Sequence, residues 1–515
     1  MLSSVLAVTS RGYTTPVLDW HALAPLLIII GTLVLALFLD AFVSEENRWT
    51  IPAVTGIGML SAMVPLLTLA TSDADARVMF GGAFVVDDFA LVLSGLFLVA
   101  GYFTTLMSTN EIAEGDYSEG EYYILLLASV LGMVMMSASR DLISIFVALE
   151  LLSIPAYLLA GWRKRRKTGI EAGMKYYLMG VFASAVMLYG MSLIFGGTGS
   201  TLLTEVGARL DGSLGESPLA ALGIVFVLIG FAFKVSAVPF HNWAPDTYEG
   251  APTPVTAFLS VASKTAGFVA LLSLIFIGFY GQGDIIRPMM FVLAALTMTV
   301  GNVIALRQTN IVRLFAYSSV AQAGFILAPL AVFGSAMGEG GVAGTGDRII
   351  TSMVAYALIY TVVNLGAFAV IITVSRRLGT GEISAWGGLW NYAPGLAVAM
   401  AAFLFALGGI PPAVGWYAKF QVFTAVVGGG TTLGYLMGVI MAVNSVLALG
   451  YYLGLVRTMF MDDVPDGDET PVAIPAPLGA VVTVAVVVTV LVGVLPGLVS
   501  DLAESAAVAL AAVGG

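Results

Sequence analysis

Phe146-Val147-Ala148-Leu149-Glu150-Leu151-Leu152 sets one carboxylate in the middle of an apolar run bounded by Arg140 and Arg163. At about 1.5 Å per helical residue, Glu150 lies ~15 Å from Arg140 and ~20 Å from Arg163. That is close to the midplane of a hydrocarbon core roughly 30 Å thick. A glutamate side chain reaches water from neither end. The run reads as a membrane-spanning helix that carries a charge at its centre.

The same apolar pattern recurs on both sides of this stretch. Runs long enough to cross a bilayer fall at 22–43, 50–71, 86–107, 121–138, 141–161, 170–196 and 218–240, then at 253–279, 286–306, 310–333, 348–375, 396–428, 431–461 and 475–500. These are spans 1 to 14, and 501–513 reads as a short terminal helix or a frayed end. Of 515 residues, 59% are hydrophobic and only 10% charged, whereas a soluble domain is about a quarter charged. Too few polar groups remain to coat a water-facing globule. The expected fold is an all-α polytopic membrane protein with about 14 transmembrane helices.

Two spans contain breakers. Span 7 runs into Val238-Pro239-Phe240-His241, and span 12 contains Gly408-Gly409-Ile410-Pro411-Pro412. Proline removes a helix hydrogen bond, and freed backbone is tolerated at depth only beside protein or a water-filled cavity. The breaks lie five spans apart, an odd separation, so equivalent segments would run in opposite directions as in an inverted repeat. The expected division is 1–120 for spans 1–3, 121–282 for a first five-helix repeat, 283–461 for a second, and 462–515 for span 14 and the tail.

Several function classes drop out. There is no cysteine, and His21 and His241 are the two histidines, which argues against iron–sulfur clusters, structural zinc and haem. No Gly-rich phosphate or dinucleotide motif opens a βα unit. No cofactor or metal is expected in this chain. The net charge of −11 collects in loops such as Glu111 to Glu121 and Asp462 to Glu469 and gives no reason to expect a nucleic-acid partner. The N-terminus lacks the pattern of a removable signal peptide. Basic residues favour the loops after odd-numbered spans, above all Arg163-Lys164-Arg165-Arg166-Lys167. Arg11, Arg77, Arg140, Arg209, Arg287 and Arg348 fall on the opposite side. The odd loops should therefore be cytoplasmic, with both termini outside.

Setting the loop charges aside leaves Glu150, Lys234, Lys264 and Lys419 deep in spans. Each costs roughly 2.5–3.5 kcal/mol at a helix centre. Together they cost on the order of 10 kcal/mol, comparable to a protein's whole net stability. Static ion pairing is the competing reading, but one acid cannot pair three lysines. An amine shut away from water holds its proton less tightly, and a nearby carboxylate reverses that. Two charges ~7 Å apart at an effective dielectric of ~20 interact by about 2.4 kcal/mol. Moving a proton against ~150 mV takes about 3.5 kcal/mol, so several coupled groups are needed. That set points to proton movement across the bilayer. Lys175, near the start of span 6, and His241, just after the first break, are relay candidates, each with an equal claim to a purely structural role. Asp246 and Glu249 read as loop structure.

The stretch from Phe233-Lys234 through Pro239-Phe240-His241-Asn242-Trp243 to Tyr248-Glu249-Gly250-Ala251-Pro252, followed by Ser263-Lys264, resembles the antiporter-like subunits of respiratory complex I, and among them the N type. Ala148-Leu149-Glu150-Leu151 with Pro155, Ala316-Tyr317-Ser318-Ser319, and Gly409-Ile410-Pro411-Pro412 with Gly415 and Lys419-Phe420 agree in order. The resemblance implies that Glu150 modulates a pumping Lys234, with Lys264 as connecting and Lys419 as terminal lysine. Relatives of the M type usually carry glutamate at that last position, and those of the L type end in a long lateral helix. It further implies a translocase subunit without a redox centre in a bacterial-type plasma membrane. Quinone reduction would occur in other subunits, and the partners would be an M-type subunit, small K- and J-type subunits and the lipid bilayer. Relatives often have a histidine where Gln322 stands here, and glutamine orients water but does not titrate near neutrality. The alternative implied by the same family is a subunit of a multi-subunit cation/proton antiporter.

Overall fold

A computed structural model describes residues 18–72, 75–114, 119–212, 215–334, 345–465 and 467–514. Arg11 lies outside them. Among the described residues, twelve helices are long and apolar enough to cross a membrane. They correspond to all the expected spans except 7 and 12. Span 7 is split into Pro218–Lys234 and a short helix Trp243–Gly250, and span 12 into Pro394–Gly408 and Val414–Val427. The all-helical membrane architecture is as the sequence leads one to expect.

Some boundaries differ for local reasons. Span 3 is the helix Asp88–Glu114, longer than expected. The hydroxyl of Ser108 bonds the carbonyl of Thr104 and the Tyr122 hydroxyl, so the helix continues through a polar patch. The tail is an ordered helix, Gly497–Gly514, that packs on spans 3 and 11 and buries Ala503, Ala506, Ala507 and Leu510.

Two helix starts share a device. Span 5, Leu142–Ala160, begins at Asp141, whose carboxylate accepts from the amides of Ile143 and Ser144. Span 10 begins at Asn310, whose side chain accepts from Val312 and Arg313. Each cap satisfies amides that have no intrahelical partner. Each start also pairs with the segment that follows the next span. Leu142 donates to Thr201 and Leu203 to Arg140, while Ile311 donates to Gly381 and Ile383 to Thr309. The same connection thus occurs twice, five spans apart.

Arg140 corrects the loop reading of the sequence. It is 1% exposed and bonds Asp87 through both carboxylate oxygens, at 2.9 and 3.2 Å. A small antiparallel ribbon, Arg77–Met79 with Phe84–Val86, folds over the junction of spans 4 and 5. Arg140 then donates its amide to Ala83. The ribbon delivers Asp87 to the guanidinium, which also bonds the carbonyls of Ser137 and Ser139. Arg140 clamps the N-terminal spans to the rest of the protein instead of facing water.

Small residues let spans 4 and 5 and the two parts of span 12 touch backbone to backbone. A Cβ on Gly132 would stand 2.8 Å from the carbonyl oxygen of Ala148, and one on Gly415 would collide with the carbonyl of Ala406. Overpacking of this kind costs roughly 1–3 kcal/mol or more. Gly415→Ala is therefore expected to reduce the amount of intact protein recovered from membranes, read on a native gel, while a substitution at open Gly454 should not.

Candidate functional site

The first break exists because Ser236 takes a left-handed backbone, φ 60°. The helix closes there with Ala237 donating back to Ala232 at 2.8 Å, as at many helix C-termini. Two further backbone groups at the break bond side chains of other elements. The indole of Trp243 donates to the carbonyl of Phe233 at 3.1 Å, and the amide of Val238 donates to Thr297 at 2.9 Å. The second break repeats the closure, with Gly409 at φ 80° and Ile410 donating to Phe405.

Lys234 ends the first half-helix and is 4% exposed. Its amine donates to Ser153 at 2.8 Å and to the Tyr176 hydroxyl at 3.4 Å. Ser153 lies one turn along span 5 from Glu150. Glu150 is half-buried on the flank of the molecule, within electrostatic reach of Lys234 but not ion-paired with it. One of its carboxylate oxygens is sealed from solvent without a protein partner among the described residues. Trp243 stacks flat on Tyr176, rings 4.4 Å apart, and so fixes the phenol beside the amine.

Lys264, 2% exposed, donates to the carbonyl of Ser319 at 3.0 Å and to its hydroxyl. The Tyr248 ring lies 6.0 Å from this amine. Between the two lysines, a Cβ on Gly267 would stand 3.2 Å from the Lys234 stem. Lys419 donates to the carbonyl of Gly408 at 3.0 Å, an acceptor freed where the second half-helix ends, and sits 4.7 Å from the Phe325 ring. Gln322 joins the two regions. It donates to the neighbouring carbonyl of Leu407 and to Tyr452, each at 3.1 Å, and accepts from Tyr356.

The result is an interrupted line of polar groups from half-buried Glu150 through buried Lys234, Lys264 and Gln322 to Lys419. Among the described residues no carboxylate forms an ion pair with any of the three amines, whose partners are neutral hydroxyls and carbonyls. Buried polar atoms almost always find partners, yet among the described residues several here have none: Ser236 Oγ, His241 Nδ1, Tyr248 OH, Ser263 Oγ and Tyr360 OH. Gln322, Tyr356, Tyr360 and Leu407 also border a cavity of about 10 Å³, near the smallest space that admits one water.

Residues 139–445 match the family model described as the NADH:quinone oxidoreductase/Mrp antiporter transmembrane region. The chain belongs to that family. It is 40% identical over 465 residues to NADH-quinone oxidoreductase subunit N 2 of Symbiobacterium thermophilum, covering 86% of this chain and 88% of that one. Subunit N of Chloroflexus aggregans is 39% identical, covering 89% and 91%. A chain of respiratory complex I from Thermus thermophilus superposes with a TM-score of 0.75 at 31% identity, covering 93% of this chain and 99% of that one. A chain of the Mrp complex from Dietzia sp. shares the fold, with a TM-score of 0.78 at 22% identity, covering 96% and 98%. The resemblance to the N type is thus borne out, and this is an antiporter-like membrane chain of the complex I kind.

Within that family frame, the structure brings Glu150, Lys234, Lys264 and Lys419 onto the line and sets His241 close to it. His241 is 9% exposed and lies within electrostatic range of Lys264. Lys175 is not on the line. Its side chain is 40% exposed and bonds Asp246 at 2.6 Å and Glu171, while Arg313 bonds Asp246 at 3.0 Å and Glu249 at 2.6 Å. Asp246 and Glu249 therefore fasten the helix after the first break to spans 6 and 10. Sequence reasoning missed Ser153, Tyr176, Tyr356 and Tyr452. Ser153 had a signal, one turn from Glu150; the tyrosines had none among many.

Replacing Gln322 by leucine would strand Tyr356 and the Leu407 carbonyl, at about 1–3 kcal/mol each, while Tyr452 keeps its bond to Ser318. Gln322→Leu is expected to lower thermal stability measurably. Gln322→His, which can still donate and accept, should lose less in the same assay.

Proposed function

We propose that this chain carries protons across the bilayer along Glu150, Lys234, Lys264 and Lys419, with ordered water completing the gaps and His241 as a side branch. The observation that carries the reading is three buried amines on one line, each held by neutral hydrogen-bond partners. A lysine so placed can give up its proton without breaking an ion pair. The orphaned hydroxyls beside them supply sites for water. Glu150 modulates the line through Ser153: favouring the charged amine when near, releasing it when its own charge is drawn outward. Because the groups are coupled, they titrate as a set.

Energy reaches the line from quinone reduction in other subunits of a proton-pumping NADH–quinone oxidoreductase. An M-type subunit and the small K- and J-type subunits are the partners expected at its flanks, in a bacterial-type plasma membrane with both termini outside. The twin helix starts and twin helix breaks support reading 121–282 and 283–461 as inverted repeats. The test is Glu150→Gln in membranes containing the assembled complex. NADH-driven proton pumping should fall while assembly stays intact; an unaltered pumping rate would reject the proposal. A second reading, a cation/proton antiporter subunit, draws on the shared Mrp fold. Its marker would be antiporter proteins, not quinone-reducing ones, co-purifying with this chain.

A further inference from the structure

Span 8, Thr253–Gly278, lies wholly inside the molecule. Its winding changes from α to π over Leu259–Ser263, immediately before Lys264, and returns to α over Lys264–Ser273. A π turn closes i to i+5 in place of i to i+4, so it shifts the later register by one residue, or about 100° of rotation. The direction of the Lys264 amine is therefore set by this turn. Interior π turns are rare and need local support. Here it comes from span 11. Asn364, 1% exposed, donates its side-chain amide to Ser260 at 2.8 Å, and Ser260 donates to the carbonyl of Ala257 at 2.8 Å. Ser260 lies within the π turn and is fully buried. Neither residue belongs to the line of amines described above.

We propose that Asn364 is a positioning residue for Lys264: its hydrogen bond to Ser260 holds the π turn that aims the amine at Ser319. The inference rests on the proton-carrying role proposed for Lys264. Without the bond, the turn relaxes to α winding and the amine rotates away from Ser319. The proton line then opens between Lys264 and Ser319, while the chain keeps its fold. His241, Tyr248 and Ser319 are the polar groups that would feel the movement, since they surround the amine.

The test uses the whole complex in its membrane, with Asn364→Leu, Ser260→Ala, the double variant, Ser260→Thr and Lys264→Met. Protons pumped per NADH oxidised are measured beside the amount of assembled complex on native gels. Losing one buried hydrogen bond, at ~1 kcal/mol, should lower the ratio about five-fold in each single variant. Both singles remove the same bond between Asn364 and Ser260, and Ser260→Ala also loses the bond to Ala257, so the double should fall no further than Ser260→Ala alone. Ser260→Thr keeps the hydroxyl and should restore the ratio. The inference is overturned if Ser260→Ala assembles and pumps at the normal ratio, or if the two losses multiply. A Ser260→Ala chain that no longer assembles also counts against it, because the turn should relax and not unfold. Should Asn364→Leu alone fail to assemble, Ser260→Ala and Ser260→Thr decide. If Lys264→Met pumps normally, the role of Lys264 itself is wrong. If Lys264→Met stops pumping while Ser260→Ala does not lower it, only the role of Asn364 is.

Discussion

Lys234→Met should abolish NADH-driven proton pumping while the complex still assembles. Methionine fills nearly the same volume and suits an apolar interior, so the packing around Ser153, Tyr176 and Gly267 survives. What disappears is the group that binds and releases the proton, and a positioned acid–base group contributes about 10²–10⁴-fold to such a step. Pumping measured by quenching of a pH-sensitive dye in sealed vesicles should fall by ~100-fold or to background. Lys234→Arg keeps the charge but not the ability to give up its proton, since arginine stays protonated in proteins, and it should be no better. Full pumping by either variant in an assembled complex would sink the proton-carrying role.

Asp87→Asn should have the second largest effect, on folding and not on proton transfer. Arg140 and Asp87 are both buried, and one guanidinium nitrogen donates to both carboxylate oxygens. Removing one partner leaves an uncompensated charge inside the protein, at about 3–5 kcal/mol. A protein with ~5–15 kcal/mol of net stability loses much of it. Little assembled protein should remain in membranes, and what remains should unfold at lower temperature. Replacing both partners by apolar residues of similar size is expected to recover a large part of the loss, because no lone charge is left behind. Equal accumulation of Asp87→Asn and the unaltered protein would show that the clamp carries no weight.

Local pattern and tertiary contact divide this protein cleanly. Glu150, Lys234, Lys264 and Lys419 were legible because each interrupts an apolar run, and an interruption needs no neighbours to be seen. The two breaks were legible for the same reason: proline and glycine act on their own backbone. Arg140 was misread because it stands between two apolar runs, where a basic residue is usually wet. The ribbon Arg77–Val86 folds back over the junction, and Asp87 and the Phe89 ring just beyond it lie against the guanidinium. Lys175, near the start of span 6, had equal claims to a relay and a structural role on sequence; Glu171 and Asp246 hold it in a half-exposed cluster.

The second half of the molecule makes the limit plain. Counted equally from their caps at Asp141 and Asn310, Ser153 and Gln322 hold matching positions. Counted equally from the bends at Ser236 and Gly409, Lys234 matches Leu407. The pair that holds an amine in the first half is therefore an amide on a backbone carbonyl in the second, and the nearby amine is supplied by Lys419 from beyond the break. Sequence spacing alone did not disclose this exchange, since it depends on which helix faces which.

By itself, the sequence determined that the chain lives in a bilayer, where helices start and fail, and which charges are stranded at depth. These are one-dimensional matters of hydropathy and backbone chemistry. The tertiary structure alone decided that the three amines meet hydroxyls and carbonyls instead of carboxylates, that Asn364 of span 11 bonds Ser260 in the π turn of span 8, and that Arg140 is a clamp. Each of those depends on groups far apart in the chain coming within hydrogen-bond distance, and the sterics of helix packing set that distance.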